Sequence, residues 1–349
     1  MKKIVVLGSF GYANNQLDGQ TIKTRNVYNL LCERYDGKIK AIDTQDLRKK
    51  PWLLFGFIFH LISSKTLIII PCLNNLTYIF PYTYYLSRIF RYDIIHICIG
   101  GWQVEYFLGG DRIFNKPHPL QLRQSKKIRA FMPEMVKVES DLKDLLAFKN
   151  TIMFPNFRFI DTKGSHKETA SDTLRLVFLA RIERSKGYET IFNFAKTIEK
   201  NSLNIHILFY GQITDVRKDD FLSLVDKHKS CVEYGGVLQQ DEVTAKLVQQ
   251  DVMLLPTKNY TEGFPGTVLD AYIAGIPVIA TEWKHSHEFI DDKKTGFIIP
   301  FGDCQKEFEE KIMTLYNDRT LLSKMKKSAF EKRLLYSSDS AWNILSKYL

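Results

Sequence analysis

The sequence predicts an α/β protein made of two successive doubly wound domains, each a parallel sheet with helices on both faces. Short, continuous apolar runs alternate with helical periodicity along the chain, as expected of strands buried on both sides. At 349 residues the chain is long for one domain and comfortable for two. A polar stretch, Asp161 to Thr173 (DTKGSHKETASDT), interrupts the alternation with no large apolar residue and reads as a linker. The expected division is residues 1–160 and 161–330.

The elements follow in order. In the first domain, strands are expected at Lys3–Leu7, Ile39–Ile42, Thr66–Ile70, Asp93–Cys98, Lys127–Phe131 and Thr151–Phe154. The first apolar run ends at Gly8 and Ser9, too soon for a signal-peptide core, so it reads as a strand. In the second domain they are expected near Leu174–Ala180, Asn204–Tyr210, Val232–Tyr234, Val252–Leu255, Pro277–Ala280 and Gly296–Ile299. From about Leu321 the chain is helical and basic. No tandem repeat or low-complexity segment is present.

Composition is that of a soluble globular protein, with 45% apolar and 25% charged residues. Cys32, Cys72, Cys98, Cys231 and Cys304 are scattered singly without a C-x-x-C pair, which reads as reduced thiols in the cytoplasm. Charge is uneven. Residues 1–160 carry 23 Lys and Arg against 12 Asp and Glu, a net +11, and residues 161–349 carry 26 against 27, a net −1. A basic half beside a neutral one points to a polyanionic partner. No recognisable nucleic-acid module occurs, so nucleic acid is set aside for an anionic membrane surface. The apolar tract Pro51–Ile62 (PWLLFGFIFHLI), with Arg48, Lys49 and Lys50 before it and Lys65 after, supports that choice. It falls well short of the ~20 residues needed to span a bilayer. Two readings stay open for it: a buried helix, or an interfacial segment with basic flanks. The aromatic stretch Tyr78–Tyr92 adds to the second.

The chemistry concentrates in Tyr260–Thr281 (YTEGFPGTVLDAYIAGIPVIAT). It reads as a strand end, a turn through Glu262, Gly263, Phe264, Pro265 and Gly266, a helix from about Thr267 to Ala274, and another buried strand. Backbone N–H groups at a helix start favour an anion, and the glycines let the main chain approach it closely. Glu262 and Asp270 lie eight residues apart and can face one ligand. A carboxylate in an anion site belongs with hydroxyls, because it repels phosphate. Phosphate with a polyhydroxyl group describes a nucleotide-sugar.

This pattern resembles the retaining GT-B glycosyltransferases of family 4, whose signature has two acidic residues separated by seven others. VFLARIERSKG, with Arg181 and Lys186, resembles the family's basic loop that holds the donor diphosphate. MFPNF (Met153–Phe157) and TGFIIPFGD (Thr295–Asp303) resemble its flanking segments. IGGWQVEYF (Ile99–Phe107) is similar to a subgroup of bacterial capsule, O-antigen and exopolysaccharide enzymes. The resemblance implies a GT-B fold with two Rossmann-like domains facing a cleft, and a final helix, about 331–349, that crosses back to the first domain. It implies a UDP- or GDP-sugar donor, transfer with retention to a glycan or lipid-linked acceptor, and no metal or other cofactor. The enzyme is then expected to be cytoplasmic and peripheral on the inner face of the plasma membrane.

The resemblance assigns roles residue by residue. Glu262 contacts a donor-sugar hydroxyl, Arg181 and Lys186 neutralise the departing diphosphate, and Asp270 holds the ribose where the family usually has Glu. The N–H groups of Phe264, Gly266 and Thr267 serve the sugar and diphosphate, while Pro265 supplies none. Gly211, Gly236 and Val237 shape the base pocket. In the first domain, Gly19 opens a helix where the main chain can meet the donor phosphate. Gly100, Gly101 and Trp102 either form a tight turn with a packed Trp or border the donor sugar and acceptor, where many relatives carry a histidine. His285 and His287 lack a third nearby ligand and are not read as a metal pair. A nucleotide-sugar epimerase and a non-catalytic sugar-nucleotide-binding protein are the competing readings.

Overall fold

The structure, a computed structural model, describes residues 3–12, 16, 18–45, 53–110, 114–161, 171–214 and 216–349. The chain forms two compact units: Met1–Phe159 with Tyr336–Leu349, and Ile160–Leu335. Most of the expected linker, residues 162–170, lies outside the described residues, as do Arg48–Lys50, Pro51 and Trp52.

In the first unit, β1 (Lys3–Gly8), β2 (Lys38–Asp43), β3 (Thr66–Ile70), β4 (Asp93–Ile97) and β5 (Ala130–Met132) form a parallel sheet in the order β2-β1-β3-β4-β5. Its helices are α1 (Gly19–Arg34), α2 (Leu53–Ile62), α3 (Phe80–Phe90), α4 (Gln103–Leu108), α5 (Pro119–Ser125) and α6 (Val136–Leu146), with a π turn at Asn75–Ile79 leading into α3. Ile4, Val6, Ile68 and Ile95 from the strands meet Val27, Leu30 and Leu31 of α1 in the core. Burial of each such side chain contributes about 1.5–3 kcal/mol.

The second unit has β6 (Leu174–Leu179), β7 (Ile205–Tyr210), β8 (Val232–Tyr234), β9 (Val252–Leu255), β10 (Val278–Thr281) and β11 (Gly296–Ile299), parallel in the order β11-β10-β9-β6-β7-β8. Its helices are α7 (Tyr188–Asn201), α8 (Lys218–Lys227), α9 (Val243–Leu247), α10 (Gly266–Ala274), α11 (Ser286–Phe289), α12 (Gln305–Asn317) and α13 (Arg319–Lys332). The last helix, α14 (Ser338–Leu345), belongs to the first unit, and its Ala341 and Leu345 enter that core. Both strand orders reverse direction once, between β1 and β3 and between β6 and β9. In open parallel sheets, ligands bind beyond the carboxyl ends of the strands at such a reversal.

Two expected strands differ. Lys127–Phe131 becomes Ala130–Met132: the Arg129 N–H already reaches the Ile94 carbonyl of β4 at 3.0 Å, and paired residues run from Ala130 to Met132. Thr151–Phe154 is not a strand; it makes one isolated bridge, Phe131 to Thr151. The Ile152 and Phe154 amides do bond to Phe131 and Pro133 carbonyls at 3.1 and 2.7 Å. Pro133 has no N–H to return, so the ladder stops there. In the tract ending at Ile62, Phe57 and Leu61 are buried, while Phe59 and Ile62 face solvent.

Candidate active site

The reversal point of the second sheet is where two loops lock together. One leaves β6 through Arg181 and a short 3-10 turn, Arg184–Lys186, into α7; the other leaves β9 through Pro256 and Thr257. Ser185 O accepts the Lys258 N–H at 2.7 Å and the Thr257 hydroxyl at 3.2 Å. Gly187 has φ +75°, and a Cβ there would stand 1.8 Å from Pro256 O. Only glycine allows that approach. The result is an ion pair across the loops: Lys186 Nζ lies 2.6 Å from Glu262 Oε2, with side chains 13% and 15% exposed. Asn259 Nδ2 donates to the same carboxylate oxygen at 3.3 Å. The two residues are 76 positions apart in sequence.

Helix α10 begins immediately beyond. Its N-cap, Pro265, offers no side-chain oxygen and makes no capping bond, so Gly266 and Thr267 start the helix without a side-chain acceptor. A helix start of this kind suits a phosphate. Gly266 is helical, so the helix opens one residue before the expected Thr267. The Phe264 ring stacks on Phe289 at 4.0 Å between centroids, which fixes the turn. Asp270 sits on α10 and is buried, unlike an ordinary surface acid.

Arg181 pairs with Glu183 at 3.1 Å and stays largely exposed. Glu183 also accepts from Ser185 at 2.6 Å and Thr214 at 3.3 Å, bracing the loop. Gly211 follows β7; a Cβ there would lie 1.8 Å from Ala180 O, and its N–H donates to Gly236 O at 2.9 Å. Gly211 and Gly236 therefore meet beside the start of the Arg181 loop. A Cβ on Gly236 would meet nothing within 4 Å, and Val237 is exposed, so this corner is open.

Residues 173–318 match the family of glycosyl transferases group 1. The second unit carries a group 1 glycosyl transferase domain. The chain is similar to an uncharacterized 41.2 kDa protein in the cps region of Klebsiella pneumoniae, 28% identical over 147 residues (42% of this chain, 38% of that protein). It is also similar to the amylovoran biosynthesis glycosyltransferase AmsK of Erwinia amylovora, 25% identical over 146 residues (40% and 35%). The chain thus spans less than two fifths of the length of these curated relatives. Anabaena Alr3699/HepE, solved in complex with UDP, superposes with a TM-score of 0.74 over 99% of both chains at 12% identity. The shared fold is GT-B, with its two Rossmann-like parallel-sheet units.

The remaining expected residues stand outside the group 1 domain, at the carboxyl-end loops of the first unit. Gly100 has φ +78°, and Trp102 folds back on the turn, its ring near Tyr106 and Phe114 at 5.7 and 5.8 Å. The tight turn with a packed Trp is therefore present. At Gly19, the Asp18 carboxylate caps α1 by accepting the N–H groups of Gln20 and Thr21 at 2.9 and 3.0 Å. A phosphate at this helix start would meet a negative charge. His285 and His287 bond to different carboxylates, Glu288 and Glu282. Among the described residues no group of three His, Cys, Asp or Glu is placed to hold a metal.

Sequence reasoning missed Glu183, Asn259 and a buried pair in the first unit. Lys23 Nζ lies 2.9 Å from Glu134 Oε2 and also donates to the Cys98 and Phe154 carbonyls at 3.3 Å. Glu134 Oε1 accepts the Gly100 N–H at 2.7 Å. The one available signal was a lysine amid the inward positions of α1.

Proposed function

We propose that the chain is a glycosyltransferase that moves a sugar from a nucleoside-diphosphate-sugar to an acceptor hydroxyl in surface-polysaccharide assembly. The observation that carries this is the Lys186–Glu262 pair at the sheet reversal, beside the uncapped start of α10. Lys186 has three N–H donors, enough to keep one on Glu262 while turning others to a diphosphate. Glu262 then presents its second oxygen to a sugar hydroxyl, and Gly266 and Thr267 give backbone N–H groups to phosphate. Cations at the leaving diphosphate stabilise charge that grows in the transition state. The biosynthetic setting is supported by the names of curated relatives, and a nucleotide donor by UDP in the HepE structure.

Several finer features belong to the same reading. Transfer proceeds with retention and without a metal ion; the leaving phosphate takes the acceptor's proton, because no histidine stands at Gly100–Trp102. The donor carries uridine or guanosine, Asp270 holds its ribose, and Gly211, Gly236 and Val237 border its base. The acceptor is a glycan, lipid-linked, and the enzyme works at the cytoplasmic face of the plasma membrane.

The test is a panel of UDP- and GDP-sugars scored by thermal stabilisation and then by nucleotide release. Stabilisation by one nucleotide series, lost in Glu262→Ala and Lys186→Ala, is the expected result. A melt that no nucleotide-sugar shifts would leave only a non-catalytic role for the fold.

A further inference from the structure

The helical segment formed by the π turn and α3 exposes three tyrosines and an isoleucine. Tyr78, Tyr82, Tyr85 and Ile89 are 68%, 72%, 52% and 68% exposed. Their spacing of four, three and four residues lines them along one face. The opposite face is already used: Phe80, Thr83, Tyr84 and Ser87 are buried against the unit. Helix α2, which packs against α3, adds Phe59 and Ile62, both exposed.

The chain that forms this face carries charge of one sign, with Asp93, paired to Arg129, the first acid beyond it. No Asp or Glu occurs from residue 47 to residue 92. Lys65 follows α2 and Arg91 follows α3, and the Asp93 N–H bonds the Lys65 carbonyl at 2.9 Å, so the two chain turns meet at one end of the face. Arg88 lies over the Tyr84 ring at 4.8 Å and donates to the Lys127 carbonyl at 2.9 Å, next to exposed Lys126 and Lys127.

We infer that this tyrosine-rich face, rimmed by Lys65, Arg88 and Arg91, seats the first unit on an anionic lipid surface. Tyrosine has an apolar ring and a polar tip, which suits the headgroup level of a bilayer. Cations near such a surface are attracted by its negative potential. No helix among the described residues is long and apolar enough to cross a membrane, so the contact is interfacial. A second copy is a poor occupant, since a self-complementary interface would bring the same cations together. The face starts at the functional edge of the sheet: Thr77 Oγ1 lies 3.1 Å from Tyr106 Oη, and Tyr106 packs on Trp102. That placement suits a lipid-linked acceptor, a point that rests on the proposed function; lipid binding itself does not.

The experiment is flotation of the full chain with vesicles of phosphatidylcholine, alone or mixed with phosphatidylglycerol. The chain should float with the mixed vesicles only, and less as salt rises. Tyr82→Ser/Tyr85→Ser/Ile89→Ser should weaken binding about tenfold or more, while stabilisation by the donor nucleotide, read on the same preparation, is retained. Should that triple variant fold poorly, Tyr82→Trp provides a second reading. Its emission should be quenched by brominated acyl chains above the wild-type background, and that of Leu145→Trp on α6 should not. Failure of the wild type to float, equal flotation of the triple variant, or equal quenching at both tryptophans would overturn the inference. So would a dimer that the triple variant abolishes, because the face would then serve self-association.

Discussion

Each unit carries a lysine–carboxylate pair near the carboxyl ends of its strands, and the two pairs differ in what surrounds them. In the first unit Lys23 and Glu134 are 2.9 Å apart with side chains 0% and 3% exposed. Their remaining hydrogen-bonding capacity goes to the Cys98 and Phe154 carbonyls and the Gly100 amide. In the second unit Lys186 and Glu262 are closer still, at 2.6 Å, yet both reach solvent. The buried pair braces the Gly100 turn; the accessible pair can exchange part of its contact for a ligand. The residue types are shared, and accessibility separates the structural role from the chemical one.

The largest expected effect breaks the buried pair. Lys23→Ala or Glu134→Ala leaves an uncompensated charge in the core and should lower stability by about 3–5 kcal/mol in denaturant melts. A similar loss on Lys186→Ala would erase the distinction between the pairs. Next, Lys186→Ala should reduce turnover about 10²–10³-fold, or about 3–4 kcal/mol at the transition state, while shifting stability by at most ~1 kcal/mol. An enzyme that turns over normally without Lys186 would remove the pair from the chemistry.

A third prediction concerns the closed interior of the first unit. His96 on β4 packs between Phe80 and Phe131, and burial lowers its pKa to about 3. It is neutral in the fold and takes a proton near pH 6.5 when unfolded. The unfolded chain therefore binds more protons between those values, and stability falls as pH drops below 6.5. From pH 6.5 to 5 the loss should be about 2 kcal/mol, and His96→Leu should flatten it. An unchanged slope in that variant would assign the pH dependence elsewhere. Smallest is Arg181→Ala: this exposed cation should contribute about tenfold to turnover, less than Lys186.

Much of the fold was legible because strands buried on both faces leave continuous apolar runs such as Ile4–Leu7 and Thr66–Ile70. Thr151–Phe154 has the same apolar character, but what ends its pairing is a proline just past the end of the neighbouring strand, Pro133. No local pattern reports a partner's missing N–H. At the candidate site, Glu262, Gly266 and Lys186 were visible as a turn chemistry and a basic loop. Their joining was not, since it depends on Gly187 closing against Pro256. Lys23 and Glu134, 111 residues apart, acquire meaning only when β4 and β5 bring their loops over α1.

The most direct measurement is calorimetric titration of UDP and GDP into the wild type, Lys186→Ala and the double variant Lys23→Met/Glu134→Leu. Replacing the whole buried pair with apolar side chains avoids leaving one charge alone. One nucleotide should bind the wild type, bind the double variant equally, and bind Lys186→Ala about tenfold or more weakly. Undiminished binding to Lys186→Ala would contradict the assignment of the donor site to the Lys186–Glu262 edge.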